Sequence, residues 1–177
     1  MTRRLREASL HVVAGQSIVA PLIIEGLPDE IVAVGENWKR KVEFHLTAVA
    51  ADTVQRAGGE RSDLWAVVTR VASGRSLEPI FAHDEVRRVT HPDKPQLRTL
   101  IVMAEATGLD ALYRDLSVAL EAELRPPPAH VTLYSSDPTE GIGIKSQAEL
   151  AERAPPLSPE QQDEVRRSMS FERVFGS

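Results

Sequence analysis

Apolar and polar residues alternate most regularly along Lys41–Ala50 and Ala129–Tyr134, and this period of two predicts a strand in each. In the first strand Val42, Phe44 and Leu46 take one face, and His45 and Thr47 take the other. In the second, Val131 and Leu133 take one face, and His130, Thr132 and Tyr134 the other. Further strands are expected at Leu10–Val13, at the β-branched stretch Gln16–Ile24, at Leu77–Phe81, at Glu85–Thr90 and at Arg98–Ala104. A helical period takes over in Ser62–Ser73, where Leu64, Val67, Val68 and Val71 share a face and Gly74 sits just past the end. It returns in Asp110–Leu124, with Leu112, Leu116, Ala119 and Leu120 forming the buried stripe. Pro126, Pro127 and Pro128 are expected to stop that second helix. Ser146 with Glu149 fits a capping box, and Ser158-Pro159-Glu160-Gln161 opens a terminal helix that runs toward Met169.

Between these elements, Gly26-Leu27-Pro28-Asp29 reads as a turn, Ala57-Gly58-Gly59 as a break, and His91–Pro95 and Ser135–Gly143 as loops. Glu30–Gly35 fits neither period. The order of elements predicts an α+β fold with largely antiparallel sheet. The two His-bearing strands come from different halves of the chain, which suggests two related lobes. Residues 1–154 are expected to form one domain, and residues 155–177 a linker and a C-terminal helix.

Composition narrows the chemistry. The 177 residues, 42% of them hydrophobic, suffice for one domain with a real core. A net charge of −5 argues against an extended nucleic-acid surface, which needs many phosphates neutralised, but leaves room for a pocket holding one phosphate. With no cysteine, disulfides and thiolate metal sites are excluded. The apolar run Ile18–Ile24 is short and broken by Pro21, so neither a signal segment nor a membrane span is expected there. The expectation is a soluble, cytoplasmic protein.

His45-Leu46-Thr47 and His130-Val131-Thr132 each put an imidazole and a hydroxyl on the same strand face. Cleaving a phosphodiester needs one group to take a proton from the attacking oxygen and another to protonate the leaving oxygen. Imidazole, with an ordinary pKa of about 6.5, suits both roles. Threonine hydroxyls can hold non-bridging oxygens as charge builds. No step of that chemistry requires a metal or other cofactor.

His45-Leu46-Thr47 and His130-Val131-Thr132-Leu133-Tyr134 resemble the paired signature of the two-histidine phosphoesterase superfamily, which includes 2′-5′ RNA ligase-like proteins and cyclic phosphodiesterases. The resemblance implies a bilobal α+β fold of two antiparallel sheets with flanking helices, the two motifs facing a central cleft. It implies metal-independent action on 2′,3′-cyclic or 2′-5′ phosphodiesters of nucleotides or RNA ends. His45 and His130 would be the general acid and base in either order, and Thr47 and Thr132 the phosphate holders. Tyr134, on the predicted cleft face, could stack on a base. The alternative is a nucleotide- or RNA-end-binding module of the same fold without turnover.

Other polar clusters carry weaker signals. Thr139-Glu140-Gly141-Ile142-Gly143 lacks the lysine and spacing of a phosphate-binding loop, and Lys145 reads as a solvated lysine. His83-Asp84-Glu85 with His91 would be the ligands of a metal hydrolase, but the spacing fits no standard zinc pattern. Arg70, Arg87 and Arg88 supply local positive charge. His11 has no evident partner, and Trp38 and Trp65 read as packing residues.

Overall fold

A computed structural model describes residues 3–4, 6–13, 17–58, 62–81 and 85–175. In chain order its elements are β1 (Arg3–Arg4), β2 (Ala8–Ser9), β3 (His11–Val13), β4 (Ser17–Leu22), β5 (Glu30–Ala33), β6 (Glu36–Arg40), β7 (Phe44–Val49), α1 (Ala51–Gly58) and α2 (Leu64–Ala72). There follow β8 (Ser76–Phe81), β9 (Val86–Thr90), β10 (Arg98–Met103), β11 (Glu105–Thr107), α3 (Leu109–Leu120), β12 (His130–Ser135), α4 (Gln147–Arg153), α5 (Pro159–Ser168) and α6 (Phe171–Phe175). The expected α+β class with antiparallel sheets holds. The large sheet runs β3-β4-β7-β12-β10-β9, with β6 also pairing with β12 and β5 with β6. A small second sheet gathers β1, β2 and β11 on β8. The large sheet reads alike from both ends: hairpin β3–β4 flanks β7 as hairpin β9–β10 flanks β12.

The main core lies on one face of the large sheet. Ile18, Ala20, Leu46, Ala48, Leu100, Val102, Val131 and Leu133 meet the apolar stripes of α2 and α3 there. Leu112 and Leu116 of α3 are fully buried, as the helical period required. Helix α3 ends earlier than expected, however. Glu121 turns left-handed at φ 52°, and its N–H and that of Ala122 cap the carbonyls of the last turn. The three prolines lie beyond a stop already made. The segment after Pro155 packs into the same core through Val165, Met169, Phe171, Val174 and Phe175. Ser158 and Gln161 close the reciprocal capping box that starts α5.

Two departures shape the site. The alternation read through Val42 fails: Val42 is 76% exposed, and Lys41 is the buried residue. The strand breaks there because β6 and β7 pair with β12 in different registers, Arg40 opposite Tyr134 but Leu46 opposite Val131. The residues between them bend out of the sheet. The second departure is a bulge in β12, where the register on β10 shifts between Ile101–Thr132 and Leu100–Tyr134. Helix α1 and strand β6 were not anticipated at all. Among the described residues no helix is long and apolar enough to cross a membrane.

Candidate active site

Strands β7 and β12 pair antiparallel with Leu46 directly opposite Val131. Directly opposed residues share a face, and their neighbours take the other. Continuing the register one step each way sets His45 opposite Thr132 and Thr47 opposite His130. All four rise from the face opposite the main core, to which Leu46 and Val131 are committed with no exposed surface. Directly opposed Cβ atoms lie about 4.5–5.5 Å apart and diagonal ones about 7–8 Å. The result is a rectangle with histidines at one pair of diagonal corners and threonines at the other.

Neighbouring strands extend both rows with apolar groups. Pro21 flanks His45 and Val19 flanks Thr47 on β4; Ile101 flanks Thr132 and Met103 flanks His130 on β10. The β10 side is roofed by the chain after β12. Ile142, Ile144, Leu150 and Ala154 pack on Val89, Leu97 and Ile101, with Met103 against them. This small second core explains an asymmetry in the rectangle: His130 is half-buried and His45 exposed. On the open side, His45 and Thr47 line a groove of about 830 Å³ with His11, Val19 and Pro21. His130 and Thr132, under the roof, do not line it.

His130 is held in one tautomer. Its Nδ1 lies 2.7 Å from the Pro128 carbonyl oxygen, which can only accept, so Nδ1 carries the proton and donates. In the neutral ring the lone pair is then on Nε2. Burial lowers the His130 pKa below the usual imidazole value; the Pro128 bond opposes this, the charge of a protonated His45 lowers it further, and Glu149 raises it. The groove walls withdraw enough water from His45 to lower its pKa too, Lys41 adds to the lowering, and Glu43 opposes it. The two rings therefore sense each other, and protonating both is disfavoured.

Lys41 was not foreseen from the sequence. It is 9% exposed, its Nζ donates to the Glu140 carbonyl at 2.9 Å, and it acts electrostatically on His45. Its own pKa is lowered by burial, against the pull of Asp137, Glu43 and Glu140. Lys94 reaches the Glu140 carboxylate at 3.1 Å, and Lys145 pairs with Asp52 at the start of α1. These contacts pin the roof loop at both ends. Lys145 is exposed, as expected of a solvated lysine, and pairs with Asp52 at the surface; residues 139–143 serve the roof. No period in the sequence signals this placement, because the strand bends between Lys41 and His45.

Tyr134 is not at the site. The β12 bulge places Leu133 and Tyr134 together opposite Leu100, so Tyr134 turns to the main-core face. It has no exposed surface, and its hydroxyl donates to the Pro28 carbonyl at 2.9 Å. The expected base-stacking role is overturned by that bulge. His91 serves its own turn, its Nδ1 accepting from the backbone N–H groups of Asp93 and Lys94. His83 and Asp84 lie outside the described residues. Arg87 bonds Glu85 and the Ala154 carbonyl, and Arg88 pairs with Glu36. No protein family, curated protein or solved structure matches the chain.

Proposed function

We propose that the chain is a phosphoesterase of the two-histidine type, acting on 2′,3′-cyclic or 2′-5′ phosphodiesters without a metal-dependent step. The observation that carries this reading is the Leu46–Val131 pairing of β7 and β12, which, continued one residue each way, sets His45 beside Thr132 and Thr47 beside His130 on one face. In this reading the lobes are β3-β4-β7 and β12-β10-β9, and the cleft lies over the seam between them. A phosphate seated between the diagonal histidines would accept hydrogen bonds from both threonine hydroxyls. One imidazole Nε2 takes a proton from water as its oxygen bonds to phosphorus. The other, protonated, gives its proton to the departing oxygen as the P–O bond breaks. Turnover ends with one proton moved between the rings, and solvent resets it.

The test is turnover by the purified protein, with EDTA present, on 2′,3′-cyclic nucleotides and on short RNA ending in a cyclic phosphate. His45→Ala and His130→Ala are each expected to lower kcat by about 10²–10⁴-fold. Undiminished turnover in both variants would sink the reading. Nucleotide binding with no single-turnover cleavage would replace it with a binding module of the same fold.

A further inference from the structure

The face that carries the four polar groups has an unusual surround. Among the described residues, five large apolar side chains are strongly exposed, and three of them, Val12, Ile23 and Val42, line the single groove that His45 and Thr47 also line. Ile23 is 84% exposed, which a chain accepts at random positions but seldom three times in one groove. A second cavity shares Pro21, Leu22, Ile23 and Ile24 with this groove and continues it toward Ala8 and Val174. That continuation is mixed in character, with Arg6, Glu7, Ser9 and Glu25 beside its apolar residues, so the apolar stretch is the one Val12, Ile23 and Val42 form next to His45.

What the groove lacks is equally specific. A strand of RNA is held by stacked bases and a cationic track for its phosphates. Seven of the eight Phe, Tyr and Trp rings are buried, and the eighth, Trp65, lies half-buried on α2 against the main core; the exposed rings in the groove are the imidazoles of His11 and His45. Phe44, which touches the groove, is one of the buried seven. Among the described residues Arg40 is the one lysine or arginine lining the groove beside His45, and it is already paired with Asp29; the continuing cavity adds Arg6.

We infer that the phosphodiester cleaved at this site carries an aliphatic group, seated in the groove along Pro21, Ile23 and Val42, in place of an RNA chain. The inference rests on the two-histidine phosphoesterase chemistry proposed for the four polar residues, and it replaces the ribose ester of that proposal with an alkyl one. His45 lines the groove, so a group bonded to a phosphorus held at His45 enters it. Hydrolysis remains balanced as above: water adds to phosphorus, and the alkoxide leaves with the proton from the second imidazole.

The experiment compares kcat/KM for four cyclic phosphodiesters: those of propane-1,2-diol and octane-1,2-diol, 2′,3′-cyclic UMP, and a tetranucleotide with a 2′,3′-cyclic phosphate end. Full burial of a methylene is worth about fourfold, so even partial burial of the longer chain predicts at least a tenfold advantage for the octane over the propane compound. Ile23→Ser and Val42→Ser, at exposed positions, are expected to bring the ratio of the octane to the propane kcat/KM close to one. Equal rates for the two diols, or a preference for the tetranucleotide, overturn the inference while leaving a working phosphoesterase. So does a dimer in sedimentation that Ile23→Asp dissociates, since the groove would then seat a second copy. No turnover of any of the four removes both the phosphoesterase reading and this inference.

Discussion

Leu46 lies directly opposite Val131 across β7 and β12, and neither has exposed surface. That one apolar pair decides where four polar side chains go. With both aliphatic groups in the core, the residues on either side must stand on the opposite face, and the pair cannot slip by one residue without burying histidine and threonine. Leu46→Ala is therefore expected to lower stability by about 2–5 kcal/mol, measured as a shift in urea midpoint at constant slope. A loss below about 1 kcal/mol would mean the register is held elsewhere.

The two imidazoles should titrate as neighbours. Lys41 and burial both hold the His45 pKa down, and a charged His45 holds down that of His130. Lys41→Met removes one lowering influence, so the His45 pKa is expected to rise. His45→Gln is expected to raise that of His130. Imidazole proton shifts followed by NMR across pH 4–8 read both directly. A fall in either value contradicts the arrangement.

The same depression sets a dependence of stability on pH. The folded-state pKa of His130 lies below the unfolded value of about 6.5. Above that value the ring is neutral in both states. As pH falls through it, the unfolded chain takes up the proton first, so stability is lost toward acid until the folded pKa is passed. His130→Gln should flatten this loss between about pH 6.5 and the folded value. An unchanged slope in denaturation series at several pH values would show that other groups govern acid sensitivity.

Much of this site was legible before the fold was known. The period of two around Phe44–Leu46 and Val131–Leu133 put each histidine with its threonine on one face, and the register joins those faces. What was not legible arose from irregularities that a period cannot express. The bend at Val42–Glu43 exposes Val42 and buries Lys41, because β6 and β7 share β12 in two registers. The bulge at Leu133–Tyr134 turns a tyrosine from the site into the core. The roof depends on Ile142 and Ile144, which are spaced like a strand but lie in a loop, buried by tertiary contact alone.

Tyr134 gives a test that separates the two faces. Its hydroxyl bonds the Pro28 carbonyl in the core, so Tyr134→Phe leaves that carbonyl without a partner, at a cost of about 1–3 kcal/mol. Cleavage by the folded variant is expected to keep the wild-type kcat and KM. A change in KM without a change in stability would return Tyr134 to the site.

The roof is the last element to test, because it accounts for the difference between the two histidines. Ile144 is 3% exposed and packs in the small core over β10. Truncating it to alanine removes apolar contact and leaves a gap, at a cost of about 2–5 kcal/mol if the loop cannot collapse. The loosened cover should also let water reach His130, and since burial is the largest influence lowering its pKa, that pKa should rise toward the ordinary value. His45, outside the roof, should titrate as before apart from a small response to its neighbour. If Ile144→Ala lowers stability while His130 titrates unchanged, then the strands themselves, and not the roof, keep that imidazole dry.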